Sequence, residues 1–167
     1  MLCYWFDERR PERAHVVANI ERRPGAYLLV SVVSLGEIEF GERVNPTQHQ
    51  AVHERFLGFV HEKVPHRLDL HHSTATRYGE LRARLFDRYA PKGKRRAGLR
   101  PEQLVDPISS LELGIQENDL WIAAQAIDGN FVLVTHDRMK NVRAVCGADL
   151  SVEDWAAPRV DWSIGRR

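Results

Sequence analysis

Three acids set the chemical question in this sequence: Glu37, Asp119 and Asp137. Each stands beside short polar residues, Ser34 before the first, Asn118 before the second and Thr135 before the third. Carboxylates gathered in one cleft repel one another unless they are protonated or share a cation. Oxygen ligands of this kind suit a hard ion such as Mg²⁺ or Mn²⁺, which keeps part of its water and also accepts phosphate oxygens. Such an ion activates a water and steadies a leaving oxygen, so phosphodiester hydrolysis is the reaction class to which the residue types point.

The elements that would position these acids are legible around them. In the run from Asn118 to Asp137, NDLWIAAQAIDGNFVLVTHD, Asn118 is a candidate N-cap with Asp119 in the first turn. Leu120, Ile122, Ala123, Ala126 and Ile127 recur near helical spacing, and Gly129-Asn130 closes the helix. Phe131 to Val134 then reads as a strand buried on both faces, with Thr135 and Asp137 just past its end. Glu37 is placed by a second unit, a strand from Tyr27 to Ser31 followed by Ser34-Leu35-Gly36-Glu37, which has the form of a capping box opening a helix to about Arg43.

Elsewhere, Pro11 and the run Glu12 to Arg23, with Ala14, Val17, Ala18 and Ile20, predict an early helix. Asn45-Pro46 predicts the cap of a helix whose apolar face holds Val52, Phe56, Phe59 and Val60. Arg67 to His71 reads as a strand, Ser73 as the cap of a helix to Tyr89, and Pro101 to Leu113 as partly helical. A short helix to about Val145 and a strand from Leu150 to Trp155 finish the pattern. Strands separated by helices argue for right-handed crossovers and a mostly parallel sheet. Ligands of such sheets bind beyond the C-terminal strand ends, where Glu37 and Asp137 are expected. The edge to which Asp119 belongs is left open, because no strand precedes its helix.

Composition narrows the class. At 167 residues, with 43% apolar and 28% charged residues and a formal net charge of +1, the chain suits one soluble domain spanning residues 1–167. A nucleic-acid contact must then come from local patches or metal ions. The segment Lys92 to Arg100, with Lys92, Lys94, Arg95, Arg96 and Arg100, is such a patch or else a solvated loop. Cys3 and Cys146 form no CxxC pair, and no secretory signal or membrane-spanning run is present, which fits a reducing cytoplasmic setting.

Three stretches of this chain resemble the PIN-domain ribonucleases of the VapC toxin type. VSVVSLGEIEFG, Val30 to Gly41, is similar to their second-strand motif, NDLWIAAQAIDGNFVLVTHD to their third and fourth acidic motifs, and LSVEDW, Leu150 to Trp155, to their usual end. The resemblance implies a three-layer α/β/α PIN-like fold, an Mg²⁺ or Mn²⁺ site, RNA cleavage, a co-encoded antitoxin and a homodimer. It carries metal binding to Glu37, Asp119 and Asp137, support of the site to Thr135, and less fixed polar roles to Ser34 and Asn118. The first acid of the family, at the end of a central first strand, has no match here and would fall on Met1 and Leu2. That departure leads us to expect a truncated first strand, with its neighbours left without a hydrogen-bond partner.

Each residue also has a plainer reading. Glu37 can serve only the capping box, and Asp119 only the helix dipole. Asp106, Glu112 and Glu117 read as solvated helix charges, and Trp5, Trp121, Trp155 and Trp162 as packing residues. His49 and His53 lie one helical turn apart and His71-His72 end a strand, yet no third ligand accompanies either pair, so zinc is not expected. Two alternatives to a ribonuclease remain: a PIN-like module that binds RNA or antitoxin without cutting, and a nuclease directed at DNA.

Overall fold

The computed structural model describes residues 1–44, 50–90 and 99–158. Its elements alternate as α1 (Leu2–Phe6), α2 (Glu12–Glu21), β1 (Leu29–Ser31), α3 (Val32–Val44), α4 (Gln50–Lys63), β2 (His66–Leu68), α5 (His72–Tyr89), α6 (Glu117–Asp128), β3 (Val132–Val134), α7 (Lys140–Cys146) and β4 (Ser151–Glu153). The α/β fold is the one expected, and both strand pairs are parallel, Val30 opposite Arg67 and Leu133 opposite Val152.

The sheet, however, is divided. Among the described residues β1 pairs with β2 and β3 with β4, and no strand joins the two pairs. Each strand of these two pairs therefore carries one edge that no described strand covers. This corrects the expectation that Phe131 to Val134 is buried on both faces: Val132 is 49% exposed, and Leu133 and Val134 are half-buried. A strand is enclosed by what lies beside it as well as above it, and β3 has a neighbour on one side only.

The core divides along the same line. The larger cluster joins Leu81, Leu85 and Phe86 of α5 to Leu120, Ala123 and Ala124 of α6 and Val142 of α7. The smaller consists of Val30, Val60 and Val64, with Trp5, Leu28, Phe56 and Phe59 packed on it. Trp5 meets Phe59 edge-on, Trp121 stacks on Tyr78, and Trp155 is buried, so these three are packing residues as expected. Trp162, His49, Asn45 and Pro46 lie outside the described residues.

Several local expectations are corrected. An unforeseen short helix, α1, precedes α2. In α2 the buried positions are Val16 and Asn19, because Asn19 turns inward to donate to the Trp155 carbonyl at 3.3 Å. Strand β2 starts one residue earlier and ends before His71, which is the N-cap of α5 in place of Ser73; the Thr74 hydroxyl accepts the His71 N–H. Val52 stays exposed on α4. Residues 101–113 hold only one helical turn, Pro101–Gln103, followed by a tight hairpin closed by a bridge between Val105 and Glu112. Asp106 is its organiser, with Oδ1 accepting from the Ile108 and Ser109 amides at 2.9 and 2.8 Å. Those backbone bonds hold its carboxyl below the usual range.

Candidate functional site

Glu37 reaches the site on α3, which follows β1 without a loop. The capping residue is Ser31 and not Ser34: the Ser31 Oγ accepts the Val33 amide at 3.0 Å, the side-chain bond that an N-cap makes. Ser34 therefore lies inside the first turn, and Glu37 lies in the second. The S-x-x-E pattern was misleading because a serine three residues earlier was already available at the strand end. Ser31 also donates to Gln125 Oε1 at 2.5 Å, while the Gln125 amide donates to the carbonyls of Leu68 and Asp69. Gln125, only 2% exposed, thus ties α6 to the ends of both β1 and β2.

The helix that carries Asp119 starts at Glu117 with Gln116 as N-cap, so Asn118 is not the cap. Its side chain is spent elsewhere: Asn118 Nδ2 donates to Glu37 Oε1 at 3.0 Å. This bond resolves the edge to which the α6 N-terminus belongs. It stands beside α3, on the side of Glu37. Glu117, expected to be solvated, accepts a short hydrogen bond from the Tyr78 hydroxyl, and Arg82 donates to that hydroxyl at 2.9 Å. Those bonds fix the start of the helix two residues before Asp119. Burial pushes the Asp119 carboxyl above the ordinary carboxylate range; the charge of Asp137, and more weakly that of Glu37, push the same way against a backbone bond at Gln116. Asp119 therefore lies within electrostatic reach of both other acids.

Asp137 follows β3 in a turn whose bonds are local. Its amide donates to Thr135 Oγ1 at 3.1 Å, and its Oδ1 accepts the Met139 amide at 3.1 Å. Thr135 thus shapes the turn. Met139, buried, holds left-handed angles of φ 41° and ψ 37°, which cost a residue with a Cβ roughly 1–2 kcal/mol. Beside it His136 shares its Nδ1 with both oxygens of Asp154, at 3.1 and 2.9 Å, a pairing the sequence did not signal.

The donor chemistry fits a hard divalent ion, since the acids are oxygen ligands whose mutual repulsion a cation would relieve. Among the described residues no three His, Cys, Asp or Glu side chains stand close enough to hold one ion together. Asp119 and Asp137 are the pair that would hold such an ion. Asp119 and Asp137 share a cleft of about 210 Å³ whose lining includes Leu113, Gly114, Lys140 and Asn141. Of the basic segment, Lys92, Lys94, Arg95 and Arg96 lie outside the described residues, and Arg100 is the N-cap of the turn at Pro101. His71 and His72 open α5 and belong to no three-residue metal cluster among the described residues.

The topology is that of an α/β protein with parallel strand pairs, in which Asp137 follows β3 and Glu37 lies on the helix that follows β1. No family model matches the sequence, and no curated protein does. In three dimensions the chain is similar to a chain in the crystal structure of VapBC2 from Rickettsia felis bound to a DNA fragment from their promoter, with a TM-score of 0.62, 22% identity and 92% of each chain covered. It is equally similar to a chain in the structure of VapBC-1 from nontypeable Haemophilus influenzae, at a TM-score of 0.62, 22% identity and 93% of each chain covered. At that identity the likeness establishes the fold, which agrees with the PIN-like architecture that the sequence motifs implied. Among the described residues no helix is long and apolar enough to cross a membrane.

Proposed function

We propose that this protein is a metal-dependent endoribonuclease, the toxin of a toxin-antitoxin pair. The observation that carries the reading is that Asp119 and Asp137, from two separate elements, line one cleft, with Glu37 tied to the start of the same helix by the Asn118 bond. In this reading Asp119 and Asp137, with Glu37 beside their helix, would hold Mg²⁺ or Mn²⁺, which when bound would supply an activated water for attack on the phosphodiester. Asp119 and Asp137 line the cleft where the phosphate would approach. Asn118 keeps Glu37 turned toward α6, and Thr135 sets the turn that aims Asp137. The fold shared with chains of two VapBC complexes supports a cognate antitoxin as partner. Phe40 and Val44, 69% and 56% exposed on α3, give an apolar surface of the kind a protein partner covers. A homodimer is proposed with it, and a reducing cytoplasmic setting.

A second reading, a PIN-like module that binds RNA or an antitoxin without cutting, is favoured by one observation: no three acids are preassembled around a common point among the described residues. The two readings separate on cleavage of a mixed RNA pool with Mn²⁺, using the chain and its Asp119→Asn variant, both purified free of antitoxin. The nuclease reading expects cutting by the parent, loss of product with EDTA and an inactive variant. RNA binding with no product from the parent supports the non-cutting module. Cutting of a matched DNA pool in preference to RNA redirects the substrate class.

A further inference from the structure

The residues on either side of Met139 are cations that the reading above does not use. Arg138 and Lys140 are both exposed, both line the cleft that holds Asp119 and Asp137, and neither makes an ion pair with a described residue. Lys140 acts on Asp106 from beyond ion-pair distance. Other guanidinium groups of this chain are engaged: Arg23 with Glu153, Arg77 with Glu80 and Arg84 with Asp149. Two uncommitted cations thus border the carboxylates, in a protein whose net charge is only +1.

A phosphate cannot settle on bare carboxylates, but one nucleotide away it needs a positive partner. Arg138 and Lys140 offer a forked and a point cation for phosphate oxygens. The cleft between them and the acids, about 210 Å³, holds several waters' volume yet falls below the roughly 300 Å³ at which drug-sized pockets begin. It therefore suits one unit of a polymer. Gly114 lines it at φ +62°, where a side chain would be strained. Asn141 lines it too, but its amide is committed: Nδ2 donates to the Leu113 carbonyl at 2.7 Å, and Oδ1 accepts from the Tyr89 hydroxyl at 3.2 Å. The side-chain amide that could read a base edge is already in use as a brace.

We propose that Arg138, Lys140 and this cleft form a phosphate-binding subsite for the nucleotide next to the scissile bond of single-stranded RNA, gripping backbone and tolerating any base. The subsite rests on the nuclease reading for its place beside a scissile bond. Its test does not need cleavage. A fluorescein-labelled oligoribonucleotide is titrated in EDTA, across a salt series, with the parent, Arg138→Gln, Lys140→Gln, the double variant and Lys63→Gln. Lys63 ends α4 just before β2, lies 2.6 Å from Glu62 and does not line the cleft, so it controls for the loss of a charge elsewhere.

Each single variant is expected to flatten the dependence of log affinity on log salt by about 0.7, and the double variant by about 1.4. Lys63→Gln should match the parent, and oligo-uridine and oligo-adenosine should respond alike. A double variant with the parent's salt dependence overturns the subsite, as does a Lys63→Gln variant that shifts as much, or a parent that binds no RNA. A difference between the two homopolymers overturns its base tolerance. If RNA is cut but the salt dependence does not move, the subsite fails and the nuclease stands. If the salt dependence moves but no RNA is cut, the cations bind RNA in a module without nuclease activity.

Discussion

The half of the molecule around β3 and β4 and the half around β1 and β2 are built to different standards. The first encloses a continuous cluster through α5, α6 and α7, in which Leu85, Leu120, Ala123 and Ala124 are fully buried. The second buries three valines under a half-covered layer of aromatic side chains and leaves Phe40, Val44, Val52 and Leu70 exposed. The candidate site draws on both, Asp119 and Asp137 from the well-packed half and Glu37 from the other. Between them the connections include polar ones: Gln125 to Ser31 and Leu68, Asn118 to Glu37, and Asn19 to Trp155. Burial of apolar area is non-directional, whereas hydrogen bonds fix relative position. The division therefore gives one half that supplies stability and one half whose placement depends on a few directional bonds.

That contrast is open to measurement. The largest effect is expected from Leu85→Ala, which should cost about 2–5 kcal/mol by chemical denaturation, while Leu28→Ala beside the smaller cluster should cost clearly less. Equal costs would dissolve the distinction. Next comes Gln125→Leu, which leaves the Leu68 carbonyl without this donor and should cost about 1–3 kcal/mol. Amide exchange is expected to rise first in β1 and β2. A uniform rise across the molecule would mean that Gln125 is only another core residue.

The smallest effect is on the acids themselves. Because the folded Asp119 carboxyl titrates above its unfolded value, its ionisation weakens the fold as pH rises from the ordinary carboxylate range through that raised value, and below this window no penalty remains. In EDTA, Asp119→Asn should therefore raise the melting temperature at pH 7 and lose that advantage near pH 3. A variant no more stable than the parent at pH 7 would show that neither burial nor the neighbouring acids penalise the ionised Asp119. Stability gained where activity is lost is the usual sign of a functional residue.

The sequence determined the alternation of helices and strands, because apolar periodicity and Gly-Asn punctuation are local properties of NDLWIAAQAIDGNFVLVTHD. It also pointed to the residue types of the site, since three acids beside strand ends suggest hard-cation chemistry wherever they meet. Caps were read less well: Ser34 and Asn118 have the right type, but the geometry of the strand end gave the role to Ser31 in one case, and Gln116 precedes the helix in the other. Glu117 and Asp106 looked solvated because their partners, Tyr78 and the hairpin amides, are not visible in a linear pattern. Only the tertiary structure decided that the α6 N-terminus lies beside α3 and that the described strands form two separate pairs. It also decided that two cations beside Asp137 form no ion pair with a described residue. Each of these depends on which distant segments become neighbours. Periodicity tells a segment which face to bury, but hydrogen bonds and charges act over a few ångströms, and the folded chain alone sets those distances.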